Sequence, residues 1–411
     1  MRIVKQLAVV PVAMWTLATG CAETPASDST SNESAATASE NGMPDINGLG
    51  SYNGLNSHNG LNTFNGLNTY NGLQSYNGLM STFDGRITTS YLVKCALPAG
   101  RKITKQDQYN AWYTYNGAIG VGPGWEAGSC DQTCQEAISA CMMAHVNTAG
   151  VHIPLWLDSP LAAIGWGQSS TYPNQEGTYF GNIFNPNGST GKVDAFYCNG
   201  KSWDRSVVPG RLGAYQTNAP YTNPFGMDAQ CAANCTAANA PNQNDGYKSC
   251  MGYNNPITVW RQNAPSFDPN TPYKICSQNS GKCLDIDTGA LWNDGTDVQQ
   301  WDFANTDNQK WYITAVDGGY YKVINKQTGK ALDIWLGQQD DGARIVQWAY
   351  WAGKNQNWAI SPVGGGGFSI VGRMSSKALD VSDASMANGA KVHQWYYYGL
   401  ANQIWTVTPA W

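Results

Sequence analysis

The sequence predicts a mostly β protein with a disulfide-rich α+β middle region and a disordered, repetitive N-terminal stalk. Three observations lead there. Asn-Gln-x-Trp recurs as "DNQKW" at 307–311, "KNQNW" at 354–358 and "ANQIW" at 401–405, each copy 47 residues after the last. Gly, Asn, Gln, Trp and Tyr are abundant across the 411 residues, and every acid beyond Glu176 is Asp, a composition of turns and short strands. Eight of the 11 cysteines crowd into 95–250. Only 13% of residues are charged, the formal net charge is −5 and no basic run occurs, so a nucleic-acid partner is excluded.

The N-terminus reads as an export signal over 1–20. Arg2 and Lys5 precede the apolar run "LAVVPVAMWTLA" at 7–18, which is too short to span a bilayer. "LATGC" at 17–21 resembles the lipobox of bacterial lipoproteins, which implies lipid on Cys21, and an outer-membrane or cell-surface location; full secretion is the alternative. Removing Cys21 leaves ten cysteines, an even number in an exported chain, which reads as disulfides.

Residues 21–46 are small, polar and acidic and are expected to form a disordered tether. Residues 47–84 repeat every six residues, with "NGL" starting at 47, 53, 59, 65, 71 and 77. An even period points every Leu the same way along an extended chain. The segment reads as a spacer, or else as a small β-rich adhesive stack; His58 replaces an aromatic residue there and is not a metal site.

Residues 85–262 form a cysteine-rich domain. "SCDQTCQEAISACMMAHVNTAG" at 129–150 predicts a helix with Ser129 and Gln132 as its capping box and Gly150 as its stop. Cys130, Cys134, Ile138, Cys141 and His145 would then share one face. "VHIPLWL" at 151–157 predicts a buried strand, and a second helix is expected around 228–240, carrying Cys231 and Cys235. Two helices with Cys at i and i+4 invite cross-linking side by side, although pairing among Cys95, Cys130, Cys134, Cys141, Cys198, Cys231, Cys235 and Cys250 is left open. His145 with Cys141 and Cys134 has helical metal spacing, but even cysteines in an exported chain favour disulfides, so no metal is assigned. His152 reads as a core histidine.

A Pro-rich linker at 263–272 leads into 273–411, where the repeat has more parts than its Asn-Gln-x-Trp. "KCLDI" at 282–286 returns as "KALDI" at 330–334 and "KALDV" at 377–381; "QQW" at 299–301 returns as "VQW" at 346–348 and "HQW" at 393–395. These residues resemble the ricin B-type lectin family, whose fold is a β-trefoil of three related lobes. The resemblance implies that Trp311, Trp358 and Trp405 are core residues and that Gln309, Gln356 and Gln403 tie loops together. It also implies carbohydrate sites made of an Asp, an aromatic residue and an Asn: Asp285, Trp301 and Asn308 in the first lobe, Asp333, Trp348 and Asn355 in the second, Asp380, Trp395 and Asn402 in the third. A carboxylate can accept bonds from two neighbouring hydroxyls, an aromatic ring stacks on the apolar face of a pyranose, and an amide both donates and accepts. Galactose- or xylose-containing polysaccharide is the ligand implied, held without a cofactor, since nothing here has calcium-loop spacing. Superposing the repeats sets Cys276 and Cys283 against Ile324 and Ala331, then Val371 and Ala378. A disulfide across one hairpin is expected, with both positions facing inward.

The expected function is therefore an exported, lipid-anchored lectin that touches the membrane only through its anchor. A polysaccharide hydrolase is the alternative, with Glu176 and either Asp194 or Asp204 as its carboxylate pair in 85–262. A structural or adhesive surface protein is the third reading.

Overall fold

The computed structural model describes residues 37–41, 43–44, 67, 73, 78–147, 153–184, 194–200, 228–238 and 246–411. The export signal, Cys21, His58, His152 and Asp204 lie outside them.

The middle domain is built on a six-stranded sheet. Its order is Thr37–Asn41, Ile153–Asp158, Ile257–Arg261, Asn174–Asn182, Asp194–Asn199 and Asp228–Gln230, antiparallel except for the last pair. The predicted strand at 151–157 is the second of these. Thr37–Asn41 falls inside the expected tether; its backbone groups complete the edge of the sheet, so that stretch is not free chain. Helix Gln132–Ala144 packs across Asn174–Asn182, where Asn182 donates to Gln135 Oε1 at 3.0 Å and the Ile183 N–H donates to Ser139 Oγ at 3.0 Å. That central strand is consequently buried from Gln175 to Asn182.

The helix differs at both ends from the sequence expectation. Asp131 is its N-cap, accepting the Cys134 N–H at 2.9 Å, and His145 rather than Gly150 is its C-cap. A carboxylate one residue before the helix satisfies the free N–H groups better than the Ser129 hydroxyl, which lies a further two positions back. The second predicted helix shrinks to Cys231–Asn234, between short strands Asp228–Gln230 and Cys235–Ala237. No side-by-side cross-link joins the two helices. The disulfides are Cys95–Cys141, Cys130–Cys134, Cys198–Cys231 and Cys235–Cys250, so Cys141 reaches helix Phe83–Ala96 and Cys130–Cys134 closes within one turn.

The last copies of the hexad are part of this core. Leu67, Leu73 and Leu79, the fourth, fifth and sixth leucines of the repeat, are all buried in the middle-domain cluster with Trp125, Ile138 and Met142. The Leu67 N–H donates to the Trp125 carbonyl at 2.6 Å. Helix Phe83–Ala96 starts so close behind the repeat that a Cβ at Gly85 would lie 2.0 Å from the Leu79 carbonyl oxygen. The domain therefore begins well before residue 85, and these copies are not a spacer. Leu67, Leu73 and Leu79 thus enter one apolar cluster.

Residues 272–409 form a β-trefoil of three four-stranded lobes: Pro272–Ser277, Cys283–Ile286, Val298–Trp301, Trp311–Ala315; Tyr321–Asn325, Ala331–Ile334, Ile345–Trp348, Trp358–Gly364; Gly367–Gly372, Ala378–Val381, Ala390–Trp395, Ile404–Pro409. Trp311, Trp358 and Trp405 are fully buried together with Ile275, Leu284, Leu332 and Leu379. Cys276 and Cys283 pair across a hairpin and are disulfide-bonded. They do not face the trefoil core. Strand alternation puts Ile275 and Leu284 inward, so the Cys pair lies on the opposite face. In the third lobe the matching Val371 and Ala378, with Ala359 and Tyr397, join the middle domain's cluster instead.

A substitution accounts for the choice of lobe. Lys274 covers the Phe303 ring at 4.7 Å and Lys322 covers Tyr350 at 5.0 Å, but the equivalent of these lysines in the third lobe is Ser369, which leaves Tyr397 to be covered by the middle domain.

If the hexad is core, Leu73→Ala should lower the unfolding free energy of the middle domain by about 3 kcal/mol, the cost of a large-to-small change at a buried site. Denaturant unfolding checks this; a change under about 0.5 kcal/mol would mean that the segment hangs free.

Candidate functional site

Each lobe brings its three expected residues together by the same construction. A hairpin pairs Asp285 with Gln299 and Cys283 with Trp301. Alternation puts Asp285, Gln299 and Trp301 on the outer face, while Leu284 and Ile286 turn into the core. The second hairpin pairs Asp333 with Val346, and the third pairs Asp380 with His393.

The Asn of Asn-Gln-x-Trp closes onto the Asp in every lobe. Asn308 donates to Asp285 at 2.9 Å, Asn355 to both oxygens of Asp333 at 3.1 and 3.0 Å, and Asn402 to Asp380 at 3.1 Å. Trp301 is 42% exposed and Trp395 38%. Trp348 is half-buried, because Trp335 packs edge-on against it at 5.6 Å.

Gln309, Gln356 and Gln403 are buried loop ties. Their amides donate to the carbonyls of Asp302, Ala349 and Tyr396 at 2.9, 2.9 and 2.8 Å, and their carbonyls accept from the N–H groups of Ala304, Trp351 and Tyr398. The buried Trp of the motif donates to the carbonyl just before the site Asp: Trp311 to Leu284 at 3.3 Å, Trp358 to Leu332 and Trp405 to Leu379 at 3.0 Å.

Two sets of residues escaped the sequence reading. Gln300, Gln347 and Gln394 are buried and bond neighbouring lobes together, as when Gln300 donates to the carbonyls of Ser385 and Ala387 at 2.7 and 3.0 Å. One residue before each of them stands the cross-strand partner of the Asp, and it differs in all three lobes. Gln299 donates to Asp285 at 3.0 Å, Val346 has no polar group to offer, and His393 Nε2 lies 2.9 Å from Asp380. The signal was in the period of two: a residue two positions before the exposed Trp shares its face.

These partners set the carboxylates apart. Burial pushes Asp285 above the usual carboxylate range, and bonds from Gln299, Gln309 and Asn308 pull it part of the way back. Asp333 lacks the third-strand donor; burial raises it to about 6 against the pull of Gln356 and Asn355. An ionised carboxylate offers about four acceptor sites, so the donors already present leave room for a ligand hydroxyl.

Of the two hydrolase pairs, Glu176 with Asp194 is not assembled, and Asp204 lies outside the described residues. Glu176 lies 2.8 Å from Arg261 Nε with both residues buried, and Tyr179 donates to its other oxygen at 2.9 Å. Asp194 pairs with Asn182, six residues farther along the strand from Glu176, which is about 20 Å of extended chain. Glycoside hydrolysis needs its two carboxylates about 5 to 10 Å apart. Asp194 instead accepts from the Tyr253 hydroxyl at 2.7 Å. Cys95, Cys141 and His145 do gather, but the two sulfurs are bonded to each other and His145 Nδ1 lies 2.7 Å from the Cys141 carbonyl.

Comparisons with known proteins bear on this region. No curated protein matches the chain. Solved structures similar to it include ThreeFoil, a designed 3-fold symmetric protein, at 39% identity over 33% of this chain and 97% of that one, TM-score 0.33. An exo-β-1,3-galactanase from Clostridium thermocellum is 21% identical over 62% of this chain, TM-score 0.34, and the chain spans 55% of its length. The Macrolepiota procera ricin B-like lectin, solved with lactose, is 20% identical over 35% of this chain and 99% of that one, TM-score 0.32. A family model for the ricin-type β-trefoil lectin domain-like fold matches in three overlapping windows, 258–348, 307–395 and 354–410, stepping along the chain by roughly a lobe at a time. The C-terminal region of this chain, with its three Asp–Asn pairs, is a ricin-type β-trefoil lectin-like domain.

Proposed function

We propose that the protein is an exported, lipid-anchored carbohydrate-binding protein whose trefoil carries three sugar sites. The observation that carries this reading is the threefold recurrence of an Asp held by an Asn, beside an outer-face Trp that is exposed in the first and third lobes and half-buried in the second. In each lobe the Trp ring would stack on the apolar face of a sugar, the carboxylate would accept from two of its hydroxyls, and the Asn would read a third. Each site is shallow, so a polysaccharide that spans several would be gripped by avidity. Galactose- or xylose-containing polymers are the ligands that the family resemblance suggests. Lipid on Cys21 would hold the protein to a bacterial outer membrane or cell surface.

Binding of purified protein to a glycan array should be lost in the combined Asp285→Ala, Asp333→Ala and Asp380→Ala variant, and free sugar should compete with the array. Loss of competition, with binding retained by the triple variant, would transfer the function to an adhesive protein surface. Release of new reducing ends from a bound glycan would restore the hydrolase alternative.

The second lobe should respond to acid. Its Asp333 takes up a proton below about pH 6, and a protonated acid loses acceptor capacity and charge. In a variant with only that lobe intact (Asp285→Ala with Asp380→Ala), affinity should be level above pH 7 and fall by up to about tenfold per unit below pH 6. Calorimetry at pH 5 and pH 8 reads the difference directly; equal affinities would show that Asp333 does not meet the ligand as a carboxylate.

For the anchor, bacterial cells fed labelled palmitate should label the wild-type protein and leave Cys21→Ser unlabelled. Equal labelling of the two would remove the lipid.

A further inference from the structure

The chain after the exposed Trp differs from lobe to lobe. Trp301 is followed by Asp302, which is paired with Lys282, and Trp348 by Ala349. Trp395 is followed by Tyr396, Tyr397 and Tyr398, and this stretch reaches the middle domain. Tyr397 is sunk in that domain's core, which fixes the backbone on either side of it. Tyr396 meets Phe83, the first residue of helix Phe83–Ala96, edge to face with centroids 5.1 Å apart. Tyr398 meets Tyr396 in the same way at 5.0 Å. Phe83 is 47% exposed and Tyr398 58%.

We propose that the third lobe and the middle domain together hold one neutral oligosaccharide several residues long, its end sugar at Asp380 and the rest along Trp395, Tyr396, Tyr398 and Phe83. This rests on the lectin reading of the lobe. An edge-to-face pair locks one ring and leaves the face of the other open, which is what stacking on a pyranose needs. The steps from Phe83 to Tyr396 and from Tyr396 to Tyr398 are about the width of one sugar ring. Tyrosine hydroxyls along the row supply bonds to the sugar rim without adding charge. Burial, then the Asp341 carboxylate, then the Tyr113 phenol push the Tyr398 hydroxyl above its ordinary pKa, so Tyr398 sits among groups of both domains and stays protonated. Lobe two pairs Trp348 with Trp335 at 5.6 Å, which half-buries that Trp, and lobe one follows its Trp with the charged Asp302, so each would hold a shorter ligand.

Full-length protein with only the third lobe intact (Asp285→Ala with Asp333→Ala) should be titrated with galactose, xylose and their β-linked oligomers of two to six residues. The expected result is about a tenfold gain in affinity from monomer to tetramer, the worth of one or two stacked rings. A protein with only the first lobe intact (Asp333→Ala with Asp380→Ala) should gain less than about twofold over the same series. In the third-lobe protein, Tyr398→Ala and Phe83→Ala should each cut the length gain severalfold, and Tyr398→Phe should keep most of it. Near-ultraviolet circular dichroism identifies any variant that has lost its fold. Equal length gains in the first-lobe and third-lobe proteins would overturn the proposal, as would a gain that survives both alanine changes. If wild-type protein binds none of the series while folded, the lectin reading itself falls; if it binds through the first lobe alone, only this proposal does.

Discussion

The bond from a buried indole to a leucine carbonyl organises the trefoil. Trp311, Trp358 and Trp405 each reach into the lobe core and donate to the backbone one residue ahead of Asp285, Asp333 and Asp380. An indole N–H sunk in an apolar core must find an acceptor, and a strand carbonyl is the one on offer. Satisfying it fixes the strand, and strand alternation then turns the next side chain outward. The Asn three residues before that Trp is carried to the Asp by the same short turn, and the intervening Gln clamps the loop that follows the exposed Trp. Packing thus delivers the polar groups, and a site of this kind survives as long as its core does.

The construction leaves one position free to vary, the cross-strand partner of the Asp. Gln299, Val346 and His393 all fit the outer face of a hairpin, and none belongs to the trefoil's central cluster, although Val346 is fully buried. They nevertheless give three carboxylates different surroundings: an amide donor, an aliphatic wall and an imidazole. A threefold backbone therefore does not imply three equal sites. The aliphatic wall is the least forgiving, because Val346 removes water from Asp333 and returns no hydrogen bond, and it is there that the proton is held to about pH 6.

Much of this was legible in the sequence, and the parts that were not share a cause. The interval of 47 residues and the Asp, Trp and Asn within it are local patterns, so the lobes and the composition of each candidate site could be read directly. The leucines of the hexad were visible as a same-face set, but the surface that buries Leu67, Leu73 and Leu79 comes from Trp125, Ile138 and Met142, far along the chain. Cys141 pairs with Cys95 across 46 residues, and no spacing rule selects that partner over the others. Asp131 displaced Ser129 as the helix cap because two nearby polar residues compete and the carboxylate wins at a helix N-terminus. The Glu176–Asp194 idea failed on distance, which sequence does not carry.

The direction in which the Cys276–Cys283 pair faces has a structural consequence beyond the hairpin. On the outer surface of the first lobe, that position is covered by its own disulfide. In the third lobe the same position is Val371 and Ala378, too small and too apolar to be left to water, and Ser369 has removed the lysine that shields the neighbouring aromatic ring elsewhere. The second lobe has the equally apolar Ile324 and Ala331, so the loss of that lysine is the change particular to the third lobe, and the middle domain covers the apolar surface left there. Symmetry was broken by small residues rather than by an insertion, since the second and third lobes keep the 47-residue spacing throughout. The docked lobe accordingly brings Tyr396, next to its candidate-site Trp, against Phe83 of helix Phe83–Ala96. Docking through the back of one lobe is what makes the third site chemically different from its siblings, since its tyrosines are held by a second domain while its Asp and Asn remain those of the common plan.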